Sequence, residues 1–267
     1  MPYNLIETDA PVLLDDQGDV LNITFNRPAQ RNVVDLAMAR YMRQLASPVA
    51  ATRAKVIVLR AQGPAFMAGG DVPYMATEPG SIGAILDGFH AFIRAMAQAR
   101  ASIVASVHGA VAGGGLGLVL NADVLLAAES AKFNFAYRQL GTSPDGGSTH
   151  VLPRLVGKRE AFALLMLGQP MTAQQALARG LVTEVVADAA LADRTDEVVA
   201  ALCANASESG HQIRKLLQTS GTCSLDEQLD AERAAFLLCS QTVDFREGVI
   251  SFMEKRIPRF QSVKEQT

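Results

Sequence analysis

Two glycine-rich stretches could each place backbone N–H groups around a ligand. The first is Gly63-Pro-Ala-Phe-Met-Ala-Gly-Gly-Asp71, and the second is His108-Gly-Ala-Val-Ala-Gly-Gly-Gly-Leu-Gly117. Glycine lets a backbone approach a bound group closely, and the first N–H groups of a helix have no partner inside the helix. Two such turns could therefore aim one N–H each at a single developing oxyanion. Each turn taken alone is equally consistent with tight turning and close helix packing.

Both stretches follow apolar runs of the kind found in buried strands, at residues 55–60 and 103–107. Further strands are predicted at residues 20–25, 124–127 and 181–186. Helices are predicted at residues 34–45, 82–99, 158–167, 172–179, 190–204, 210–219, 224–238 and 244–255, and a short helix is predicted to begin around residues 113–115. Strands that alternate with helices indicate an α/β fold with much parallel pairing. We therefore predict an α/β core over residues 1–200 and a helical C-terminal region over residues 201–267.

Composition limits the classes of protein that fit. The 267 residues are 49% hydrophobic and carry 24 basic against 27 acidic side chains, a formal net charge of −3. Such a chain can bury a large core, and it lacks the positive charge that would predict a nucleic-acid partner. Its start lacks a signal-peptide pattern, and its most apolar stretch, residues 103–128, contains polar residues and three consecutive glycines. We therefore expect a cytoplasmic protein without a membrane partner.

Several common site motifs are missing from the sequence. Cys203, Cys223 and Cys239 form an odd set without Cys-x-x-Cys spacing, so neither a disulfide framework nor a metal site is expected. The dinucleotide fingerprint fails because Leu118 stands where a third glycine is required. No phosphate loop, Gly-x-Ser-x-Gly elbow or His-Glu-x-x-His motif occurs in the sequence.

A series of motifs along the chain resembles the crotonase (enoyl-CoA hydratase/isomerase) superfamily. Residues 66–71 look like its first oxyanion turn, residues 103–115 look like its second, and further blocks follow in the same order. These blocks are residues 121–123, 127–133, 140–145, 152–157, 180–182 and 244–256. The resemblance runs from residue 20 to residue 260 and implies a spiral of ββα units with a helical C-terminal region.

The resemblance also implies what the protein binds and how it assembles. It implies an acyl-CoA substrate, with coenzyme A present as part of that substrate and with no permanently bound cofactor. It implies a homotrimer or hexamer, with residues 201–267 as the trimerisation region. By the family pattern, the backbone N–H groups of Ala68 and Gly114 form an oxyanion hole for the thioester carbonyl, because two fixed donors stabilise an enolate.

The resemblance places coenzyme contacts in two segments. In the first oxyanion turn, the implied contacts are Ala65, Phe66, Ala68, Gly69 and Asp71. In the C-terminal tail, Phe252 and Lys255 fall where the family often contacts the adenosine and the phosphates. Residue type alone gives an equally good interpretation of these last two, as a core aromatic and a solvated lysine.

The family's hydratases use two glutamates that hold a water between them, because one must act as base while the other supplies a proton. Matching the motifs residue by residue puts Gly117 at the first glutamate position and Tyr137 at the second. Glycine has no side chain, and an unperturbed tyrosine has a pKa of about 10, so neither replaces a carboxylate at neutral pH. Ordinary water addition is therefore not expected.

Asp145 is an acid near these positions, in the run Ser143-Pro-Asp-Gly-Gly-Ser148. This feature resembles the enoyl-CoA isomerases, including the phenylacetate-pathway type. Moving a double bond needs one base, which takes a proton from the α-carbon and returns it to the γ-carbon. We therefore predict an isomerase with Asp145 as acid/base and with Tyr137 as a pocket wall that orients it. Residue type alone also predicts a turn in which the aspartate caps the next helix.

His90 supports an alternative reaction. In the family's 4-chlorobenzoyl-CoA dehalogenase, a histidine base at this position acts with an aspartate at the position of Asp145, so an aryl-CoA hydrolase using both residues is a second hypothesis. A buried, hydrogen-bonded histidine is the commoner interpretation of a histidine among apolar helical neighbours. Hydration by an altered site and a catalytically silent acyl-CoA-binding paralogue are further alternatives. Loss of both glutamate positions favours the silent protein, whereas the two turns and Asp145 count against it.

Overall fold

The computed structural model describes residues 9–261, which form nine β-strands and eleven α-helices. The strands are β1 (Val12–Asp16), β2 (Val20–Phe25), β3 (Val56–Ala61), β4 (Ser102–Val107), β5 (Ala110–Ala112), β6 (Val124–Ala128), β7 (Lys132–Asn134), β8 (Met171–Thr172) and β9 (Glu184–Val186). The helices are α1 (Leu36–Ala50), α2 (Val72–Thr77), α3 (Ile82–Gln98), α4 (Gly114–Val119), α5 (Ser148–Val156), α6 (Lys158–Met166), α7 (Ala173–Ala178), α8 (Leu191–Cys203), α9 (Ser207–Thr219), α10 (Leu225–Ser240) and α11 (Val243–Glu254). The ends of the two predicted regions, residues 1–8 and 262–267, lie outside the described residues.

The main sheet has six strands in the order β1-β2-β3-β4-β6-β9. The strands β1 and β2 pair antiparallel, and every later neighbour pair in this sheet is parallel. The residues from Val56 to Leu59 are completely buried because the large core packs on one face and α8 on the other. Burial on both faces explains why β3 is apolar without alternation.

A second, three-stranded sheet has the order β5-β7-β8. The strand β5 follows β4 closely, and β7 follows β6, so each of these pairs passes from the first sheet into the second. In the preceding unit, Met67 makes a parallel bridge to Val111 of β5. The repeated passage from the first sheet to the second gives the predicted spiral of ββα units. It also brings the two glycine-rich turns together at one edge of the sheets.

The helix α3 carries the aromatic residues Phe89 and His90 towards this edge. It lies against α1, where a Cβ on Gly88 would overlap the Ala39 carbonyl oxygen. Glycine at position 88 therefore lets the two helix backbones come into contact. The neighbouring Phe89 and Phe92 are buried on the same side of α3.

The helical C-terminal region is held to the core through Arg214 of α9. Its guanidinium group donates to the Asp123 carboxylate at 2.8 Å and to the backbone carbonyls of Met96 and Ala99. Both the arginine and its carbonyl partners are shielded from water, which makes these charge-assisted bonds strong. Within residues 9–261, no helix is long and apolar enough to cross a membrane.

Most predicted elements are confirmed, with shifted boundaries. Thr172 and Ser224 cap α7 and α10 through complete capping boxes, as their residue types indicate. Two predictions need correction: β9 is limited to Glu184–Val186, and α9 begins at Ser207 rather than at residue 210. The short strands β1, β5, β7 and β8 and the helices α2 and α5 were not predicted, because runs of two to nine residues are too short to show a clear periodicity.

Candidate active site

The two glycine-rich turns meet through their backbones. A Cβ on Gly69 would lie 3.2 Å from the Ala112 carbonyl oxygen and 3.6 Å from the Gly113 Cα, so a side chain there would press on the opposite turn. Both glycines also have positive φ values, 101° at Gly69 and 51° at Gly113, which most residues avoid. The residues that follow them, Gly70 and Gly114, therefore begin at neighbouring points of the two turns.

The backbone N–H groups at this point differ in availability. Gly114 is the first residue of α4, and its N–H has no acceptor among the described residues. The Gly70 N–H also lacks an acceptor within residues 9–261. In contrast, the Ala68 N–H donates to the Arg31 carbonyl at 3.1 Å. The predicted use of Ala68 as a free oxyanion donor is therefore wrong for this structure, because the Arg31 carbonyl, which lies in a turn, already accepts that N–H.

Asp145 begins a tight turn that leads into α5. The Ser148 N–H donates to the Asp145 carbonyl at 3.1 Å, and the two central residues, Gly146 and Gly147, have φ values of 60° and 82°. A turn with positive φ at both central positions requires residues such as glycine. The predicted turn is confirmed, and it fixes the backbone from which the Asp145 carboxylate projects. The predicted helix cap is wrong, because the N-cap of α5 is Gly147 and no side chain caps this helix.

Three side chains from different elements hold this turn. The Tyr137 hydroxyl donates to Asp145 Oδ1 at 2.5 Å, and the Gly146 N–H donates to His90 Nε2 at 3.4 Å. Asn121 Nδ2 donates to the carbonyls of Gly146 and Gly117, at 3.1 Å and 2.7 Å. Hydrogen bonds thus connect the Asp145 turn to three parts of the chain: the segment of Tyr137, the helix α3 through His90, and the end of α4 through Asn121.

Tyr137 acts here as a hydrogen-bond donor. It is buried, and burial raises its pKa; the negative charge of Asp145 raises the pKa further. Both effects penalise the phenolate, so the hydroxyl keeps its proton at neutral pH and donates it in the bond to Asp145. Asp145 Oδ2 accepts no hydrogen bond from any described residue.

The space beside Gly117 is filled. A Cβ at this position would lie 2.8 Å from Ser148 Oγ, 3.1 Å from the Asp145 carbonyl oxygen and 3.2 Å from the Gly146 Cα. The Asp145 turn therefore occupies the volume that a longer side chain at position 117 would need. With Gly117 at one position and Tyr137 at the other, neither of the two family glutamate positions carries a carboxylate.

Asp145 and the second glycine-rich turn are neighbours. Asp145 Oδ1 lies 3.3 Å from the point where a Gly114 Cβ would stand, and the ring of Phe89 lies 3.1 Å from the same point. A substrate group held at the Gly114 N–H would therefore lie close to the carboxylate. The role of Asn121 in holding the Asp145 turn was not predicted from the sequence. The sequence feature that could have indicated this role is its place in one of the matching blocks, directly after the glycine-rich helix α4.

The predicted coenzyme contacts lie in several different environments. Ala65 and Phe66 are buried, and Phe66 packs edge-on against Phe25, so any contact they make would come from their backbones. Asp71 caps α2 by accepting the Tyr74 N–H. Phe252 is 85% exposed on α11, and Lys255 ends that helix in a left-handed conformation without an ion pair among the described residues.

Residues 15–264 match the enoyl-CoA hydratase/isomerase family. The chain belongs to this family, the crotonase superfamily that its motifs resemble, and is an acyl-CoA enzyme of the same class. Family members act on coenzyme A thioesters, which agrees with two glycine-rich turns that leave backbone donors free beside a carboxylate.

Three relatives illustrate the range of similarity. The chain is 32% identical to the 1,2-epoxyphenylacetyl-CoA isomerase of Escherichia coli (strain K12), over 93% of this chain and 97% of that protein. It is 31% identical to the 2,3-dehydroadipyl-CoA hydratase of the same strain, over 93% and 98%. The crystal structure of an enoyl-CoA hydratase from Bacillus anthracis superposes with a TM-score of 0.88 at 26% identity, over 95% of this chain and 100% of that chain. An isomerase and a hydratase are thus almost equally similar.

Proposed function

We propose that the protein is an enoyl-CoA isomerase that shifts a double bond through an enolate, with Asp145 as its acid/base. The observation that carries this proposal is the Asp145 carboxylate beside Gly114, together with the Asp145 turn that fills the space a side chain at position 117 would need. Isomerisation needs one base, whereas addition of water uses an acid and a base together. The similarity to the 1,2-epoxyphenylacetyl-CoA isomerase is compatible with this choice, but the 2,3-dehydroadipyl-CoA hydratase is almost equally similar, so the proposal rests on the geometry.

In this mechanism, Asp145 removes a proton from the α-carbon of a β,γ-unsaturated thioester. Its Oδ1 is held by the Tyr137 hydroxyl, so Oδ2 receives the proton. The electron pair moves onto the thioester oxygen, where two fixed N–H donors stabilise the negative charge. Asp145 then returns the proton to the γ-carbon, which leaves the conjugated α,β-isomer and restores the carboxylate.

We assign the two donors to Gly70 and Gly114. The Ala68 N–H is occupied by Arg31, whereas the Gly70 and Gly114 N–H groups have no acceptor in the described part of the chain. The contact between the preceding glycines supports a common target for both donors. The terminal methyl group of Met75 lies 2.5 Å from the point where a Gly70 Cβ would stand, so this side chain packs against the residue that carries one of the two proposed donors.

The site geometry supports the three alternative functions less well than it supports the isomerase. A hydratase would need another acid to replace the glutamates missing at positions 117 and 137. The hydrolase with His90 as a base would need a water at His90, but His90 Nε2 faces the Gly146 N–H, which supports a role in holding the turn. The silent acyl-CoA-binding protein is the outcome that an absence of turnover would support.

The helical C-terminal region, residues 201–267, is our proposal for the assembly region of a trimer or hexamer. Its described helices expose large apolar side chains, among them Phe236 at 64%, Phe252 at 85% and Met253 at 75%. They line a cavity of about 700 Å³ between α9, α10 and α11. Large apolar patches of this kind usually mark interaction sites. Analytical ultracentrifugation tests the number of subunits. We also propose that Phe252 and Lys255, in the same region, contact the coenzyme A part of the substrate.

The test of the proposed reaction is an ultraviolet assay with a β,γ-unsaturated acyl-CoA. We expect the conjugated thioester band to grow with the wild-type protein. Asp145→Asn keeps the shape of the side chain but removes the base, so kcat should fall by about 10²- to 10⁴-fold while substrate binding persists. The control is Asp87→Asn, an exposed aspartate on α3, which should leave kcat unchanged. Equal rates for the wild type and Asp145→Asn would defeat the proposal.

A further inference from the structure

The ring of Phe89 lies against both turns that form the proposed site. Its Cε1 atom lies 3.1 Å from the point where a Gly114 Cβ would stand and 3.2 Å from the corresponding point at Gly146. These distances are shorter than most contacts of real Cβ atoms, so the ring fills space that side chains at positions 114 and 146 would need. Phe89 is 3% exposed, which places its ring in the protein interior at the edge of the site.

The glycine at position 114 is explained by this packing rather than by backbone conformation. Gly146 has a φ of 60° and would favour glycine in any surroundings, but Gly114 is not among the described residues with positive φ. A side chain at position 114 would meet the Phe89 ring and Asp145 Oδ1, which lies 3.3 Å from the same Cβ point. The ring and the carboxylate therefore border one small volume beside the Gly114 backbone.

The residues on either side of Phe89 hold this part of α3 in place. Gly88 lets α3 lie against α1, because a Cβ there would be 2.2 Å from the Ala39 carbonyl oxygen. His90 Nε2 accepts the Gly146 N–H at 3.4 Å. The helix is thus tied both to α1 and to the turn before α5, and these two contacts keep the Phe89 ring against the site.

We propose that Phe89 shields the Asp145 carboxylate from water, so that the proton removed from the α-carbon is the same proton that reaches the γ-carbon. The inference rests on the proposed function of Asp145. In the first step a C–H bond breaks and an O–H bond forms on Asp145, and in the second step that O–H bond breaks and a C–H bond forms at the γ-carbon. A water in contact with the carboxyl group between these steps would exchange its hydrogen for the proton. The ring closes the side of the carboxylate towards Gly114, and the bound substrate covers the open side.

Removal of the ring would let water reach the carboxylate. The vacated space would border Asp145 Oδ1 and the Gly114 carbonyl oxygen, which lies 3.4 Å from the Gly146 Cβ point. A cavity holds an ordered water when it is large enough and offers polar partners, whereas a purely apolar cavity stays empty. The space left by a phenyl ring beside these two oxygens meets both conditions.

The test measures the fraction of α-carbon deuterium that reaches the γ-carbon when the reaction runs in ordinary water. Phe89→Ala should lower this fraction by at least about twofold, since a water beside the carboxyl group competes with return of the label. Phe89→Leu removes fewer buried atoms and so costs less stability, and it should lower the fraction as well.

The matched control is Phe92→Ala. It removes a completely buried ring of the same size from the same helix, but this ring is not among the atoms nearest to Gly114 or Gly146. The control should keep the wild-type label fraction even where it lowers kcat or the free energy of unfolding, because a loss of packing alone brings no water to the carboxylate.

The label fraction separates this inference from the proposed function. An unchanged fraction in Phe89→Ala and Phe89→Leu would overturn the shielding role, and so would an equal decrease in Phe92→Ala. A wild type that forms the conjugated product without any label transfer would also overturn it, while isomerisation itself would stand. A wild type without isomerase activity defeats the proposed function, and the inference fails with it.

Discussion

Gly117→Ala puts one methyl group into the space that the Asp145 turn fills. The new Cβ would lie 2.8 Å from Ser148 Oγ, closer than such atoms approach in proteins, and 3.1 Å from the Asp145 carbonyl oxygen. Rotation of the hydroxyl group does not move the carbonyl, which belongs to a turn held by Asn121 and His90. The turn itself must therefore shift, and the Asp145 carboxylate shifts with it.

Two opposing contributions determine the expected change in the free energy of unfolding. In an unhindered helix, alanine in place of glycine stabilises by about 0.5–1 kcal/mol. Overpacking a buried site costs about 1–3 kcal/mol. We therefore expect a net loss of about 1 kcal/mol. Because a displacement of about 1 Å can lower a rate by about 10²-fold, a shift of a few tenths of an ångström should lower kcat by about tenfold.

Urea unfolding and the ultraviolet isomerase assay measure these two changes. The control is Gly210→Ala in α9, where a Cβ would meet no atom within 4 Å. This control should gain about 0.5–1 kcal/mol and keep the wild-type kcat. If Gly117→Ala behaved in the same way, the turn would not fill the space beside residue 117, and the argument against a two-carboxylate site would be refuted.

Three further outcomes are expected. Burial and the Asp145 charge raise the pKa of Tyr137, so its stabilising contribution is present below about pH 10 and is lost at higher pH. Urea unfolding at about pH 9 and pH 11 should therefore show a smaller loss for Tyr137→Phe than for the wild type; an equal loss would contradict this assignment. Asn121→Ala removes the bond to the Gly146 carbonyl, and it should lower both kcat and the free energy of unfolding, the latter by about 1–3 kcal/mol. Arg214→Ala leaves Asp123 without its partner and should cost about 3–5 kcal/mol in urea unfolding, whereas a loss below 1 kcal/mol would show that α9 does not depend on this pair.

The sequence was sufficient to predict the main sheet and most of the helices. The apolar run that became β3 and the capping residues Thr172 and Ser224 act through local chemistry that is visible in the sequence. The second sheet was missed because β5, β7 and β8 have only two or three residues each. Their stability comes from pairing between distant segments, which no local pattern records.

The candidate site was predicted in part. The presence of Asp145 beside Tyr137 followed from the motifs, and the hydrogen bond between them agrees with the predicted orienting role. The choice between Ala68 and Gly70 as oxyanion donor could not be made from residue types, since it depends on the carbonyl of Arg31. The Asn121 clamp likewise depends on where α4 ends relative to the Asp145 turn.

The most direct test of a one-base isomerase uses a β,γ-unsaturated acyl-CoA that carries deuterium on its α-carbon. After a single turnover, mass spectrometry and proton magnetic resonance would locate the label in the product. Transfer by one carboxylate predicts a conjugated thioester without added water and with part of the deuterium on the γ-carbon. In the time that the wild type needs for one turnover, Asp145→Asn should form at most about 1% of this product. A product heavier by one water, or label transfer that persists in Asp145→Asn, would contradict the account.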